Sequence, residues 1–140
     1  MDARHLLVSA LPAIVVVRLH DGLGDAPMTG GSAPKRKGGQ FEAAVVNYLR
    51  TAGFPQAAKT LAGASDDRGD ISGVDHTVVE CKNHRALDLA GWLTEARLEA
   101  ENAGLARFAV VAKRRGVSDV AESYAVVPLW LLAELLREGS

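Results

Sequence analysis

The sequence has few of the residues that several classes of protein depend on. A single cysteine, Cys81, excludes a disulfide within the chain and suits a reducing compartment. Aromatic residues make up 5% of the chain, which argues against binding of single-stranded nucleic acid by base stacking. The formal net charge of -1 argues against a chain that is basic as a whole. Four scattered histidines and one cysteine cannot form a zinc site of the usual spacing.

Motifs for common cofactors and for a catalytic serine are also missing. The chain has no phosphate-binding loop, no G-x-G-x-x-G, no H-E-x-x-H and no G-x-S-x-G. We therefore expect no nucleotide cofactor. The apolar run from Leu6 to Val17 is interrupted by Pro12 and is too short to cross a bilayer. We expect no membrane partner and a cytoplasmic location.

The composition is that of one folded domain with an appendage. A chain of 140 residues with 48% hydrophobic residues can bury a core, and its length fits a single domain. The stretch from Asp21 to Pro34 is rich in glycine, proline and serine, as flexible linkers are. We expect residues 1–34 to form an N-terminal appendage and linker, and residues 35–140 to form the domain.

Hydrophobic periodicity predicts the order of helices and strands. Helices are predicted over 39–53, over 88–103 with Asp88 as the N-cap, and from Pro128 to about Arg137. The run 107–112 predicts a buried strand, and Tyr124 to Val127 predicts another. This order predicts an α/β fold with a mixed central β-sheet flanked by helices.

The most informative stretch, residues 69–83, reads as two strands joined by a turn. Alternation along the second strand places Glu80 and Lys82 on one face and Cys81 on the other. A hairpin of this length can bring Asp70 beside Glu80. Two carboxylates and an ammonium group would then suit a hard divalent cation and metal-assisted hydrolysis of a phosphodiester. Cys81 is expected to be a small buried residue rather than a nucleophile.

The residues of this hairpin, together with Glu42 upstream, resemble a known nuclease pattern. Asp70, Glu80-Cys81-Lys82 and Glu42 are similar to the PD-(D/E)xK pattern in its Holliday junction resolvase branch, over about residues 35 to 116. The segment 37–42 resembles the opening helix of archaeal-type resolvases. The segments 67–71 and 89–104 resemble small resolvase-like proteins of actinobacterial phages. Gly69 stands where the pattern has proline, a change we expect to be tolerated.

The resemblance implies a restriction-endonuclease-like core and an Mg²⁺-dependent, structure-selective DNA endonuclease that resolves four-way junctions. Asp70 and Glu80 would ligate the cation together with the backbone carbonyl of Cys81, and Glu42 would complete the site directly or through water. Mn²⁺ is expected to substitute for Mg²⁺. Lys82, kept protonated by the carboxylates beside it, would stabilise developing negative charge. If the gene belongs to a phage, the protein would work in the host cytoplasm.

The expected partner is branched double-stranded DNA, bound by a homodimer. Paired cuts in a nearly two-fold symmetric junction call for a two-fold dimer, and the apolar last helix is the candidate interface. DNA contacts are expected from two basic clusters and from the loop before the hairpin, with Ser65 assigned by resemblance alone: Lys35, Arg36, Lys37, Ser65, Arg68, Lys113, Arg114 and Arg115.

Three other interpretations remain open. The chain could be a different nuclease on the same core, such as a nickase or restriction-like enzyme. It could be a DNA-binding module without catalysis, or an α/β domain whose carboxylates are surface groups. Individual residues also have simpler explanations. Basic clusters are often solvated surface, Glu42 can favour a helix dipole, and the charges at Glu95, Arg97, Glu99 and Glu101 are expected to form a solvated helix face.

Overall fold

The computed structural model describes residues 32–61 and 69–140. The elements run α1 (Ser32–Thr51), β1 (Ala58–Lys59), β2 (Ile71–Ser72), β3 (Thr77–Lys82), α2 (Leu89–Ala103), β4 (Arg107–Ala112), a 3₁₀ turn (Val120–Glu122), β5 (Tyr124–Val126) and α3 (Leu129–Glu138). The interpretation of residues 1–34 as an appendage and linker can be compared only at residues 32–34, which belong to α1, because residues 1–31 lie outside the described part of the chain. The predicted roles of Ser65 and Arg68 also lie outside it. So does the side chain of Lys35.

The five strands form one sheet in the order β1-β2-β3-β4-β5. β1, β2 and β3 pair antiparallel, β3 and β4 pair parallel, and β4 and β5 pair antiparallel. The parallel pair needs a crossover, and α2 supplies it. The predicted mixed sheet flanked by helices is therefore confirmed, as is the predicted order of the elements from α1 to α3.

Side chains alternate along β3 and divide the core between the two faces of the sheet. Val79 packs with Phe41 and Val45 of α1, and Cys81 lies against the same cluster. Val78 faces the other way and packs with α2. Because Glu80 and Lys82 share the parity of Val78, both lie on the α2 side of the sheet.

The last helix covers β4 from the α1 side. Leu131 and Leu135 are buried against Ala109, which pairs with Val79 across the sheet. The opposite side of α3 is open, with Leu129 and Leu136 79% and 57% exposed. The sequence predicts that this helix is either deeply buried or partly committed to a partner chain. In the structure one side of the helix is buried and the other is exposed to solvent.

The ends of the helices show where local chemistry decides the boundaries. α2 begins as predicted, with Asp88 Oδ1 accepting a hydrogen bond from the backbone N–H of Gly91 at 3.0 Å, and it ends at Gly104, whose φ is 68°. α1 begins at Ser32, earlier than the predicted residue 39. The helix includes Pro34 because the first turn needs no N–H donor there. Among residues 32–61 and 69–140, no helix combines the length and apolar character needed to span a bilayer.

Candidate functional site

The hairpin of β2 and β3 fixes the backbone of Asp70 on both sides. The N–H of Asp70 donates to the carbonyl of Val79 at 3.0 Å, and its carbonyl accepts from the N–H of Thr60 at 3.0 Å. The side chain is held as well, because Oδ2 accepts from the N–H of Cys81 at 2.8 Å. The prediction that the hairpin brings Asp70 beside Glu80 is confirmed.

Gly69 lets the chain pass directly against Glu80. Its φ is +79°, and a Cβ there would lie 2.9 Å from the carbonyl oxygen of Val79 and 3.1 Å from Oε1 of Glu80. Proline fixes φ near −65° and cannot adopt this conformation. The glycine that replaces proline in the resembled pattern therefore has a local cause, namely a left-handed backbone with no room for a side chain.

Glu80 is a buried carboxyl group in the middle of the sheet, with 4% of the residue exposed. Burial raises the pKa of Glu80 from its ordinary 4.5 to about 10, and hydrogen bonding with Glu99 and the charge of Asp70 act in the same direction. A buried carboxyl group with carboxylate neighbours is costly to ionise unless a positive charge compensates it. A cation held there would provide that compensation.

Two further carboxylates reach this point from α2. One carboxylate oxygen from each of Glu80, Glu95 and Glu99 lies within 4.8 Å of the others. Oε2 of Glu99 is buried and meets no hydrogen-bond donor among the described residues. A proton on Glu80 or a bound cation would satisfy it. We call Asp70, Glu80, Glu95 and Glu99 together the acidic centre.

Lys82 is the cation that the chain itself places beside the acidic centre. Its Nζ lies 3.0 Å from Oε2 of Glu95 and 3.8 Å from Oε2 of Glu80. Burial opposes the charge on Lys82, but the hydrogen bond to Glu95 and the charges of Glu95, Glu80 and Asp70 outweigh it and raise its pKa. The expectation that carboxylates keep Lys82 protonated is confirmed, although Glu95 is the main partner.

The sequence reasoning missed Glu95 and Glu99. Of the charges on α2, Arg97 and Glu101 do pair on the exposed face, at 3.2 Å, as expected for a solvated surface. Glu95 is also exposed, with 48% of its side chain accessible, but it turns towards Glu80 and pairs with Lys82. The expectation fails for Glu99, whose Oε2 is buried. A sign was present in the spacing: positions 95 and 99 follow Trp92 by three and seven residues, which places them on the side of the helix that bears this buried residue.

Glu42 lies elsewhere. Its Oε2 pairs with Nζ of Lys59 at 3.3 Å, and its charge acts on the thiol of Cys81, on the α1 side of the sheet. Neither Glu42 nor Asp70 is among the carboxylates that lie within 4.8 Å of one another around Glu80 in the described part of the chain. The catalytic and metal-binding role of Glu42 stays a prediction, as does a metal contact from the Cys81 carbonyl.

Cys81 itself has the character expected of it. The side chain packs against the core cluster of α1, away from Lys82. Burial raises the pKa of its thiol well above the ordinary value, and the negative charges of Asp70, Glu42 and Glu80 add to the effect. A thiol with a raised pKa is a poor nucleophile, which favours the structural interpretation of this partly buried residue.

The basic residues predicted to bind DNA differ in their surroundings. Nη1 of Arg114 lies 3.6 Å from Oε2 of Glu122. Lys113 and Lys37 instead line one cavity of about 190 Å³ between α1 and the segment after β4. Arg36 is exposed near the start of α1, and Arg115 is partly buried. The DNA-binding roles of these residues stay predictions.

A larger cavity, of about 360 Å³, lies at the other end of β3. It is lined by the turn between β2 and β3 and by Leu105. Its charged lining residues, Asp75 and His76, are both exposed. Despite its size, this cavity lacks converging carboxylates, so the chemistry of the chain is better placed at the acidic centre.

Comparison of the chain with protein-family models, curated proteins and solved structures found no match. Function is therefore inferred from the residues of the site.

The acidic centre fits a hard divalent cation. Mg²⁺ prefers carboxylate oxygens and retains several waters, so few protein ligands suffice. Glu80, Glu95 and Glu99 offer such oxygens within 4.8 Å of one another. Asp70 lies next to this group, because its carboxylate is held by the Cys81 N–H and its charge acts on Glu80. Together with the ammonium of Lys82, the centre provides the components for chemistry on a phosphate ester.

Proposed function

We propose that the chain is an Mg²⁺-dependent DNA endonuclease of the PD-(D/E)xK type with a restriction-endonuclease-like core, acting on four-way junctions as a homodimer. The observation that carries the proposal is the meeting of Asp70, Glu80 and Lys82 at the carboxyl end of β3, joined by Glu99 from α2. The carboxylates of Asp70 and Glu80 both come from the hairpin, as the resembled pattern requires.

Asp70, Glu80 and Glu99 would hold the cation in this proposal. When bound, Mg²⁺ would polarise the scissile phosphate and lower the pKa of a water molecule. Mn²⁺ prefers the same oxygen ligands and is expected to replace it. The hydrogen bond from the Cys81 N–H fixes the carboxylate of Asp70.

Lys82 supplies a fixed positive charge. Because its pKa is raised, the ammonium stays charged at neutral pH. It would stabilise the negative charge that develops on the phosphate oxygens as the bond to the leaving oxygen breaks. Glu95 acts as a positioning residue in this arrangement, since its 3.0 Å contact holds the ammonium at the edge of the acidic centre.

DNA is the proposed substrate because the acidic centre has basic residues nearby. The N–H of Lys113 donates to the carbonyl of Lys82 at 2.9 Å, so the second basic cluster begins at the strand end that bears the catalytic lysine. Backbone phosphates are the natural partners of such lysines, and they report DNA shape rather than sequence. The bare side of α3 is the proposed dimer surface, which would set two centres across a two-fold axis.

Cleavage of matched substrates tests the proposal. A labelled four-way junction and a linear duplex of the same sequence would be incubated with Mg²⁺ or with EDTA. We expect paired symmetric cuts in the junction, lost in EDTA. Equal cutting of both substrates would keep the nuclease and reject the junction preference. Binding without any cutting would instead indicate a DNA-binding module, and absence of both would contradict the proposal.

A further inference from the structure

We propose that a pocket on the α1 side of the sheet binds one phosphate group of the DNA strand whose scissile phosphate lies at the acidic centre. The inference rests on the proposed function, because it names a DNA phosphate as the ligand. We call this cavity of about 190 Å³ the lysine pocket. It lies between α1 and the segment that follows β4.

The lining of the lysine pocket suits an anion. Lys37 comes from α1 and Lys113 follows β4, so the fold joins two basic clusters that are far apart in the sequence. The remaining polar lining residues are uncharged: Gln40, Asn83, Ser118 and Ser123. Among the described residues that line the cavity none is acidic, so its charged lining is basic.

Neither lysine of the pocket is neutralised by the described part of the chain. Lys59 and Lys82 each pair with a carboxylate, and so does Arg114, the immediate neighbour of Lys113. No carboxylate partner for Lys37 or Lys113 is found within residues 32–61 and 69–140. An anion bound between these two lysines would be attracted by both positive charges.

The pocket lies at the same end of the sheet as the acidic centre but on the other side. Asn83 lines the pocket and directly follows Lys82, whose side chain points to the α2 side. Lys113 extends β4 beyond Ala112, the register partner of Lys82. Ligands of open α/β sheets commonly bind outside the carboxyl ends of parallel strands, which is where both sites lie.

A phosphate group fits the pocket better than a nucleobase does. The one aromatic lining residue, Phe41, is 6% exposed and belongs to the core, so its ring has no free face for stacking. Two ammonium groups and small polar side chains are the donors that a phosphate oxygen needs. A strand crossing the end of the sheet would place one phosphate at the acidic centre and another in the pocket.

The test is the salt dependence of DNA binding, measured by fluorescence anisotropy with Ca²⁺ in place of Mg²⁺. Lys37→Gln and Lys113→Gln should each lower the slope of log affinity against log salt by about 0.9, the value for one phosphate contact. Since both lysines contact one phosphate, the slope in the double variant should be lowered no more than in either single variant. Arg97→Gln removes the same charge from an exposed residue already paired with Glu101, and it should leave the slope unchanged.

The proposal is overturned if the lysine variants lower the slope no more than Arg97→Gln, or if their effects add in the double variant. Thermal unfolding of each variant would verify that the fold is intact. Failure of the proposed function looks different. Wild type that binds DNA with the expected slopes but never cuts it with Mg²⁺ would reject hydrolysis and leave the pocket in place. Absence of DNA binding by wild type would reject both.

Discussion

The carboxylate of Asp70 accepts a hydrogen bond from the backbone N–H of Cys81 at 2.8 Å. This contact joins the start of the hairpin to the strand residue next to Glu80, so it sets the separation of the two carboxylates. It also allows charge and structure to be separated by mutation, because an asparagine at position 70 keeps an acceptor oxygen for the same N–H while losing the negative charge.

Burial of Glu80 predicts an unusual dependence of stability on pH. Its raised pKa means that the folded protein holds a proton which the unfolded chain releases above about pH 4.5. The unfolded state then binds fewer protons, so the free energy of unfolding of metal-free protein should fall as pH rises, by up to about 1.4 kcal/mol per pH unit. Urea denaturation in EDTA at pH 5 and pH 8 measures the fall.

Substitution assigns that fall to one residue. Glu80→Gln cannot ionise, so it should be more stable than wild type at pH 8 in EDTA, with a smaller difference at pH 5. The side chain of Glu101 is 58% exposed, so Glu101→Gln should show the same change of stability with pH as wild type. Excess Mg²⁺ should stabilise wild type at pH 8 by binding the native state alone. Equal pH dependence in wild type and Glu80→Gln would exclude Glu80 as the cause.

Glu99 is predicted to be a metal ligand because one of its carboxylate oxygens lies within 4.8 Å of oxygens of Glu80 and Glu95. Glu99→Gln should weaken Mn²⁺ binding, measured by calorimetry, by about 10–100-fold, as losses within metal sites commonly do. Glu101→Gln, which makes the same change two residues away on the exposed face of α2, should bind Mn²⁺ as wild type does. Equal affinities of wild type and Glu99→Gln would remove this residue from the centre.

Gly69 should tolerate no side chain. In Gly69→Ala the new Cβ would lie 2.8 Å from Cγ1 of Val78 at a φ of +79°, so we expect a loss of about 1–3 kcal/mol in the free energy of unfolding. Gly38→Ala offers the matched change, since a Cβ at this helical position meets nothing within 4 Å. That variant should gain up to about 1 kcal/mol. Chemical denaturation of both variants measures the two changes in the free energy of unfolding, which should have opposite signs. A gain or no change in Gly69→Ala would contradict the prediction.

The bare side of α3 predicts self-association. Leu129 and Leu136 lie seven residues apart on the helix, and both are exposed. Leu136→Lys should shift the protein from dimer to monomer in sedimentation velocity. Leu98→Lys, at a position of similar exposure on α2, should not change the dimer. A wild-type protein that stays monomeric at every concentration would contradict the proposed homodimer.

Local patterns were enough to predict most of the fold. The apolar run 107–112 and the cap at Asp88 each depend on neighbours in sequence, and both predictions are confirmed at β4 and α2. The start of α1 was placed too late, because glycine and proline near residue 34 are typical of linkers even where a first helical turn accepts them. Composition alone therefore does not locate the first residue of this helix.

The candidate site was predicted in part for the same reason. Asp70 and Glu80 meet through a short hairpin, so their proximity follows from local geometry. Glu99 reaches Glu80 only because α2 crosses over β3, a long-range relationship that a charged helix face does not reveal. Glu42 was grouped with them by resemblance, yet it lies near Cys81 and pairs with Lys59.

The most direct test of the account is cleavage of the four-way junction in Mg²⁺ by Asp70→Asn, compared with wild type and with Asp75→Asn. The substitution Asp75→Asn makes the same chemical change at an exposed position beyond the other end of β3. The account predicts that Asp75→Asn cuts as wild type does. Asp70→Asn should fold normally and lose at least about a hundredfold in rate, each factor of ten being about 1.4 kcal/mol of barrier. Undiminished cutting by a folded Asp70→Asn would contradict the assignment of catalysis to the acidic centre.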